Sequence, residues 1–320
     1  MTRRDFLKAA AAAAFAGAAV QAQEKPGKLY DGPIVDTHEH LWNLQELKLP
    51  WVAGLTGKPK EILDRDHLLA DYAEAIRGLN ITRSVYMEVD VAEADQLKEA
   101  DFVTKLCAEG KTPMVAAVIS GRPAADKFKD YLDRFKDSKH IKGLRQVLHT
   151  PATPPKLCLE DQFVKGVQLL GERKLSFDLC FRNDQLEYGA ELVDRCPGTR
   201  FILDHCGNPH HGTLDMPGWE KAIAKVAAAK NRNVMCKVSG LYGNVTAAAW
   251  PAAKLAPIVR KVIDLFGWDR VMFASDWPVV NLGASLKTWV DVVQQIVKGD
   301  TPDNQKKLFH DNAVKFYGLT

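Results

Sequence analysis

No Cys-x-x-Cys pair occurs among the six cysteines (Cys107, Cys158, Cys180, Cys196, Cys206 and Cys236), which argues against a zinc ribbon or a thioredoxin-like redox motif. No Gly-x-Gly-x-x-Gly stretch is present, so the phosphate-binding turn of a doubly wound dinucleotide fold is missing. No Gly-x-Ser-x-Gly elbow is present either, and nothing suggests a covalent acyl-enzyme. Charge of one sign is scarce. Lys and Arg number 43 against 40 Asp and Glu, a formal net of +3. Arg3, Arg4 and Lys8 against Asp5 place two of those three charges in residues 1–22, leaving a nearly neutral body without the basic stripe a nucleic-acid binder needs. The expected partner is therefore a small molecule. Beyond the first two dozen residues no run approaches the roughly 18 apolar residues of a membrane span, and no repeat, linker or charge block marks a second domain.

What is present is a globular composition, 46% hydrophobic and 26% charged over 320 residues. That length suits one (β/α)8 barrel, which takes about 250 residues plus insertions. The N-terminus has the order of an export signal: Arg3-Arg4 in a basic start, an alanine-rich run from Ala9 to Val20, and small residues suited to cleavage after Ala22. This predicts a twin-arginine signal at 1–22, a periplasmic protein with no stable membrane insertion after cleavage, and one barrel domain over 23–320.

From residue 33 onward, short apolar runs alternate with amphipathic stretches. Eight runs read as strands: Ile34–His38, Ser84–Val89, Met114–Ile119, Ile141–Val147, Leu175–Cys180, Phe201–His205, Asn233–Val238 and Val271–Ser275. Several are almost continuously hydrophobic, as parallel strands buried on both faces are. Helical stripes lie between them, for example Asp66–Leu79 and Leu255–Phe266. Strand then helix, eight times over, predicts a closed parallel barrel rather than an open sheet. Cys180, Cys206 and Cys236 fall inside strand-like runs and read as small core residues. Leu41–Lys60 and the proline-rich His149–Leu159 read as loops over the barrel mouth, with Trp42, Trp51 and Trp277 placed either to stack on a flat substrate or to pack the loops.

Polar residues gather at strand C-termini, the face that carries barrel active sites. Asp36-Thr37-His38-Glu39-His40 ends the first strand; strict alternation would put Asp36, His38 and His40 on one face, where two imidazoles can share one metal ion or one substrate oxygen. Leu203-Asp204-His205-Cys206-Gly207 ends the sixth and Ala274-Ser275-Asp276-Trp277-Pro278 the eighth. His205 offers a titratable group near neutral pH, and Asp276 a general base, a metal ligand or both. Arg145 on the fourth strand could present its planar fork to a carbonyl or carboxylate. Lys237 and Ser239 share a face of the seventh, and His210 and His211 read as exposed loop residues.

In this order, Asp-Thr-His-Glu-His, Gly-Leu-Arg, Leu-Asp-His-Cys-Gly and Ala-Ser-Asp-Trp-Pro resemble the amidohydrolase superfamily, most of all its amidohydrolase 2 branch with the sugar-lactone and pyrone-dicarboxylate lactonases. The resemblance runs from Asp31 nearly to the end. It implies a hydrolase that opens a lactone, with Asp276 as base on water and His38, His40, His205 and Arg145 around the reacting carbonyl. Two-metal members carry a lysine on the fourth strand and a histidine on the fifth; Arg145 stands in the first place and Leu175–Cys180 has no histidine, which argues against a binuclear centre. Two options stay open: one divalent ion, zinc or manganese, on His38, His40 and Asp276, or a metal-free site in which Arg145 and the histidines stabilise the oxyanion. A metal-dependent decarboxylase of the same superfamily and a non-catalytic ligand-binding barrel are the alternative functions.

Overall fold

Eight strands pair in sequence order, every pair parallel, in the computed structural model, which describes residues 28–230, 233–241 and 252–319. They are β1 (Ile34–Glu39), β2 (Ile81–Met87), β3 (Met114–Ser120), β4 (Ile141–Val147), β5 (Ser176–Cys180), β6 (Arg200–Leu203), β7 (Val234–Val238) and β8 (Val271–Phe273). The sheet returns on itself: Asp276 N–H donates to His38 O at 2.8 Å and His40 N–H to Trp277 O at 2.7 Å, tying the end of β8 to the end of β1. The expected (β/α)8 barrel is thus observed. The expected signal at 1–22 lies outside the described residues, and no described helix is long and apolar enough to cross a membrane.

The crossover helices are α1 (Leu69–Ala75), α2 (Gln96–Glu109), α3 (Phe128–Asp133), α4 (Asp161–Glu172), α5 (Leu186–Arg195), α6 (Met216–Ala227), α7 (Ala252–Phe266) and α8 (Leu286–Val297). Their apolar faces bury Phe163, Leu192, Trp219, Val259 and Trp289 against the outward residues of the strands, the ring of helices that such a barrel requires. Asp215 and Ser285 cap α6 and α8 by accepting backbone N–H bonds.

The lumen has two levels. Val35, Val85, Met87, Ala116, Val118, Ile202, Met235 and Met272 fill the lower one, and Tyr317 and Leu319 of the C-terminal segment pack beneath. Above them, toward the strand C-termini, the inward positions turn polar: Arg145, Asp178 and Lys237 are all buried. All six cysteines are buried free thiols, in line with the core role expected for Cys180, Cys206 and Cys236.

Candidate active site

The strand β1 is bulged. Its register against β2 shifts between Asp36 and Glu39, and such an extra residue re-aims side chains. Strict alternation therefore fails for Asp36: its carboxylate faces outward, accepting from Tyr72 Oη of α1 at 2.9 Å and from Ser275 N at 2.8 Å. The two histidines stay together in the site, Nε2 to Nε2 at 3.1 Å. His40 Nδ1–H donates to Met87 O at 2.8 Å; a carbonyl can only accept, so Nε2 of neutral His40 is left as a lone pair. It lies 3.2 Å from Asp276 Oδ1.

His205 and Asp276 are not on strands, contrary to the sequence expectation. The strand β6 ends at Leu203 and β8 at Phe273, and both residues sit one turn later with positive φ, 53° and 59°. Non-glycine residues in that region are held there by their surroundings. Gly240 permits the His205 turn: it has φ +68°, and a Cβ there would lie 2.5 Å from His205 Cβ. Ser239 Oγ fixes His205 Nδ1 at 2.9 Å.

A buried charge network supports these groups. Arg145 Nε donates to Glu88 Oε1 at 2.6 Å, Nη2 to Glu88 O at 2.7 Å and Nη1 to Asp204 Oδ2 at 3.2 Å. Lys237 Nζ donates to Asp178 Oδ2 at 2.6 Å and lies 3.2 Å from Asp204 Oδ1. Asp204 Oδ1 is also 3.4 Å from His38 Nδ1, the carboxylate-to-imidazole arrangement that turns the other ring nitrogen toward a ligand. Burial alone would strip the Lys237 ammonium of its proton, but Asp178 and Asp204 outweigh it and raise its pKa. Burial likewise raises the Asp276 carboxyl, yet His205, His40 and His38 hold it well below the usual carboxylate range. Burial, with Lys237 beside it, holds His38 well below its ordinary value, and burial lowers His205 too.

His38, His40 and Asp276 could hold one metal ion, as the sequence suggested; His38, Asp204 and His205 form a second such group. The first fits best. Its three acceptor atoms stand 3.1, 3.2 and 3.5 Å apart. A tetrahedral ion with bonds of 2.0–2.1 Å has edges of roughly 3.3 Å. Glu88, Asp178 and Asp204 face the two fixed cations Arg145 and Lys237, while Asp276 stands among the histidines, a donor set that suits a divalent ion.

Above the cluster opens a cavity of about 480 Å³, lined among others by Trp51, Asp90, Arg145, His149, His205 and Asp276. The loops expected over the mouth are there: Trp51 lies on the short helix Pro50–Ala53, and His149 leads the proline-rich segment. Trp51 Nε1 donates to Val89 O at 2.7 Å. Trp42 and Trp277 are buried against His67 and pack the loops instead. His210 and His211 are exposed, as expected, but also border the cavity, and His211 meets His149 edge-on at 4.9 Å between ring centres. The structure thus gathers His38, His40, His205, Asp276 and Arg145. Sequence reasoning missed Glu88 and Asp178 and gave Asp204 no task of its own. A lone charge inside the apolar run Leu175–Cys180 was the available signal for Asp178.

A parallel eight-stranded barrel with histidines and a carboxylate at the strand C-termini defines the class as a barrel hydrolase site. The amidohydrolase family model Amidohydro_2 matches residues 35–319, and the chain belongs to that family and is a hydrolase. An L-fucono-1,5-lactonase of Burkholderia multivorans is 26% identical over 300 residues, 89% of this chain and 96% of that protein. A solved amidohydrolase from Burkholderia multivorans with bound zinc aligns with a TM-score of 0.79 at 22% identity, over 90% of this chain and 100% of its own. A dihydroxybenzoic acid decarboxylase from Polaromonas, with bound manganese and the inhibitor 2-nitroresorcinol, aligns at 0.65 and 13% identity over 90% of this chain and 97% of its own. These structural likenesses are of fold.

Proposed function

We propose that this protein hydrolyses a neutral, hydroxylated lactone, and the charge of its cavity carries the reading. Arg145 is the single Lys or Arg among the described lining residues, and its guanidinium is already engaged by Glu88 and Asp204. The stretch 242–251, after β7, contains no Lys or Arg. Arg122, outside the lining, is paired with Asp90 at 3.5 Å. A substrate bearing several ring carboxylates, such as a pyrone dicarboxylate, meets Asp90 with no unpaired Lys or Arg among the described lining residues. A sugar-derived lactone instead finds hydrogen-bonding partners in His149, Thr150 and Asn208 and an indole in Trp51. The lactonase relative supports the same reading.

In the proposed reaction Asp276, ionised at neutral pH, takes a proton from water as its oxygen attacks the lactone carbonyl. Arg145 stands beside the oxyanion that develops, where a good donor is worth about 3–4 kcal/mol; the Nε2 lone pairs of His38 and His40 serve a divalent ion instead. The ring C–O bond then breaks, and the proton returns to the leaving alkoxide from Asp276, directly or through neutral His205. The product hydroxy acid ionises and releases a proton to solution. His38 Nε2, His40 Nε2 and Asp276 Oδ1 would hold a divalent ion, which when bound supplies Lewis acidity and lowers the pKa of water. Lys237, Asp178 and Asp204 keep His38 oriented.

A pH-stat assay of the purified protein, with and without zinc or manganese, tests the reading on aldonolactones, a pyrone dicarboxylate and a dihydroxybenzoate. Acid release on an aldonolactone supports it. Turnover of the dicarboxylate, or carbon dioxide from the benzoate, with the aldonolactones inert, would overturn it in favour of an acid substrate.

A further inference from the structure

The opposite end of the barrel carries a second cavity, of about 540 Å³, at the N-terminal ends of β4 and β6 and beside the C-terminal segment. Lys136, Lys139, Lys142, Lys174, Arg200 and Lys315 line it, and among the described residues no carboxylate does. None of these six has an ion-pair partner within 4.0 Å among the described residues, although Lys315 feels Asp269 nearby; what sets the cavity apart is that so many cations share one lining. A seventh lining cation, Arg173, is paired, with Asp133. In a chain whose body is nearly neutral, that concentration of positive charge stands out. Burial and the neighbouring Arg200 lower the Lys142 pKa, in keeping with a positive local field.

The cavity is also built. Arg200 donates to Phe316 O and to Lys174 O, and its guanidinium lies 4.6 Å over the Phe316 ring. The two carbonyls and the ring fix the plane of that guanidinium at the cavity wall, where its charge adds to that of the lysines. Phe135, Ile141, Leu175 and Phe316 add apolar walls. From this geometry we propose that the cavity binds a small molecule carrying two or more oxyanion groups, a phosphate ester or a polycarboxylate, at a site separate from the hydrolytic one. A bound polyanion supplies counter-charge that the described lining residues do not, and charge-assisted bonds of this kind are the strong ones.

Isothermal titration of the intact protein with inorganic pyrophosphate, and with citrate, at low ionic strength tests this. Saturable binding is expected for one or both, weakening as salt is raised. Exchanging the exposed lysines in Lys139→Glu/Lys315→Glu should weaken it by about tenfold or more, equivalent to about 1.4 kcal/mol, with hydrolytic turnover unchanged. Arg200→Lys, which keeps the charge and loses the fork, should also weaken it. No saturable binding of either anion at millimolar concentration would overturn the proposal. So would binding indifferent to the lysine reversal, or association only with phosphatidylglycerol vesicles, which would make the face a membrane-docking surface.

Discussion

The two levels of the barrel lumen are built on the same strands and do opposite things. The lower level is closed by Val35, Val118, Ile202 and Met272 and is apolar. The upper level, one or two residues further along, buries Arg145, Asp178, Asp204 and Lys237 in ion pairs at 2.6–3.2 Å. Apolar packing needs only shape. Buried charges need every partner in place, because desolvation is covered only by good geometry. The barrel thus confines its chemistry to the upper level, and substitutions in the two levels should differ in their effect on turnover.

The largest expected effect is on chemistry. Asp276→Asn should lower kcat by about 10²–10⁴-fold, the usual worth of a general base, with the far-ultraviolet circular dichroism unchanged; wild-type turnover would remove Asp276 from the mechanism. Next, Lys237→Met leaves Asp178 and Asp204 without their shared cation and should cost about 3–5 kcal/mol in urea unfolding. Adding Asp178→Asn should recover part of that loss, since the remaining carboxylate keeps Arg145. In the lower level, Met272→Ala should cost about 2–5 kcal/mol and leave kcat nearly untouched. A large fall in kcat there would mean the two levels are coupled.

The smallest effect concerns Glu99 of α2, behind the upper level, which accepts from Val89 N and Tyr86 Oη. Burial, then Glu88, push its carboxyl up to about 8. Because the folded value lies above the unfolded one of about 4.3, the folded protein binds this proton more tightly. The contribution is full at low pH and is lost as pH rises through about 8. Glu99→Gln should therefore flatten the fall in melting temperature between pH 5 and 8. An unchanged slope would mean another group sets it.

The same contrast explains what could be read in advance. Period-two and period-3.6 patterns report burial, so the eight strands and their order were visible, and β4 was placed to the residue. Chemistry at strand ends was visible as well, because polar residues closing apolar runs are conspicuous: His38, His40 and Asp276 were named, and they converge. The misses were geometric. A bulge turned Asp36 outward, and left-handed turns, rather than strand ends, aim His205 and Asp276. No periodicity encodes either. Glu88 and Asp178 escaped notice because their importance lies in partners, Arg145 and Lys237, that are 57 and 59 residues away.

The measurement that reaches the central claim most directly is hydrolysis of a reactive aldonolactone in ¹⁸O-labelled water, followed by mass spectrometry of the product. Attack of water on the carbonyl carbon, directed by Asp276, places one label in the new carboxylate and leaves the released hydroxyl unlabelled. Label in the hydroxyl would mean that the other side of the ester oxygen is cleaved, and the account of this site would be wrong.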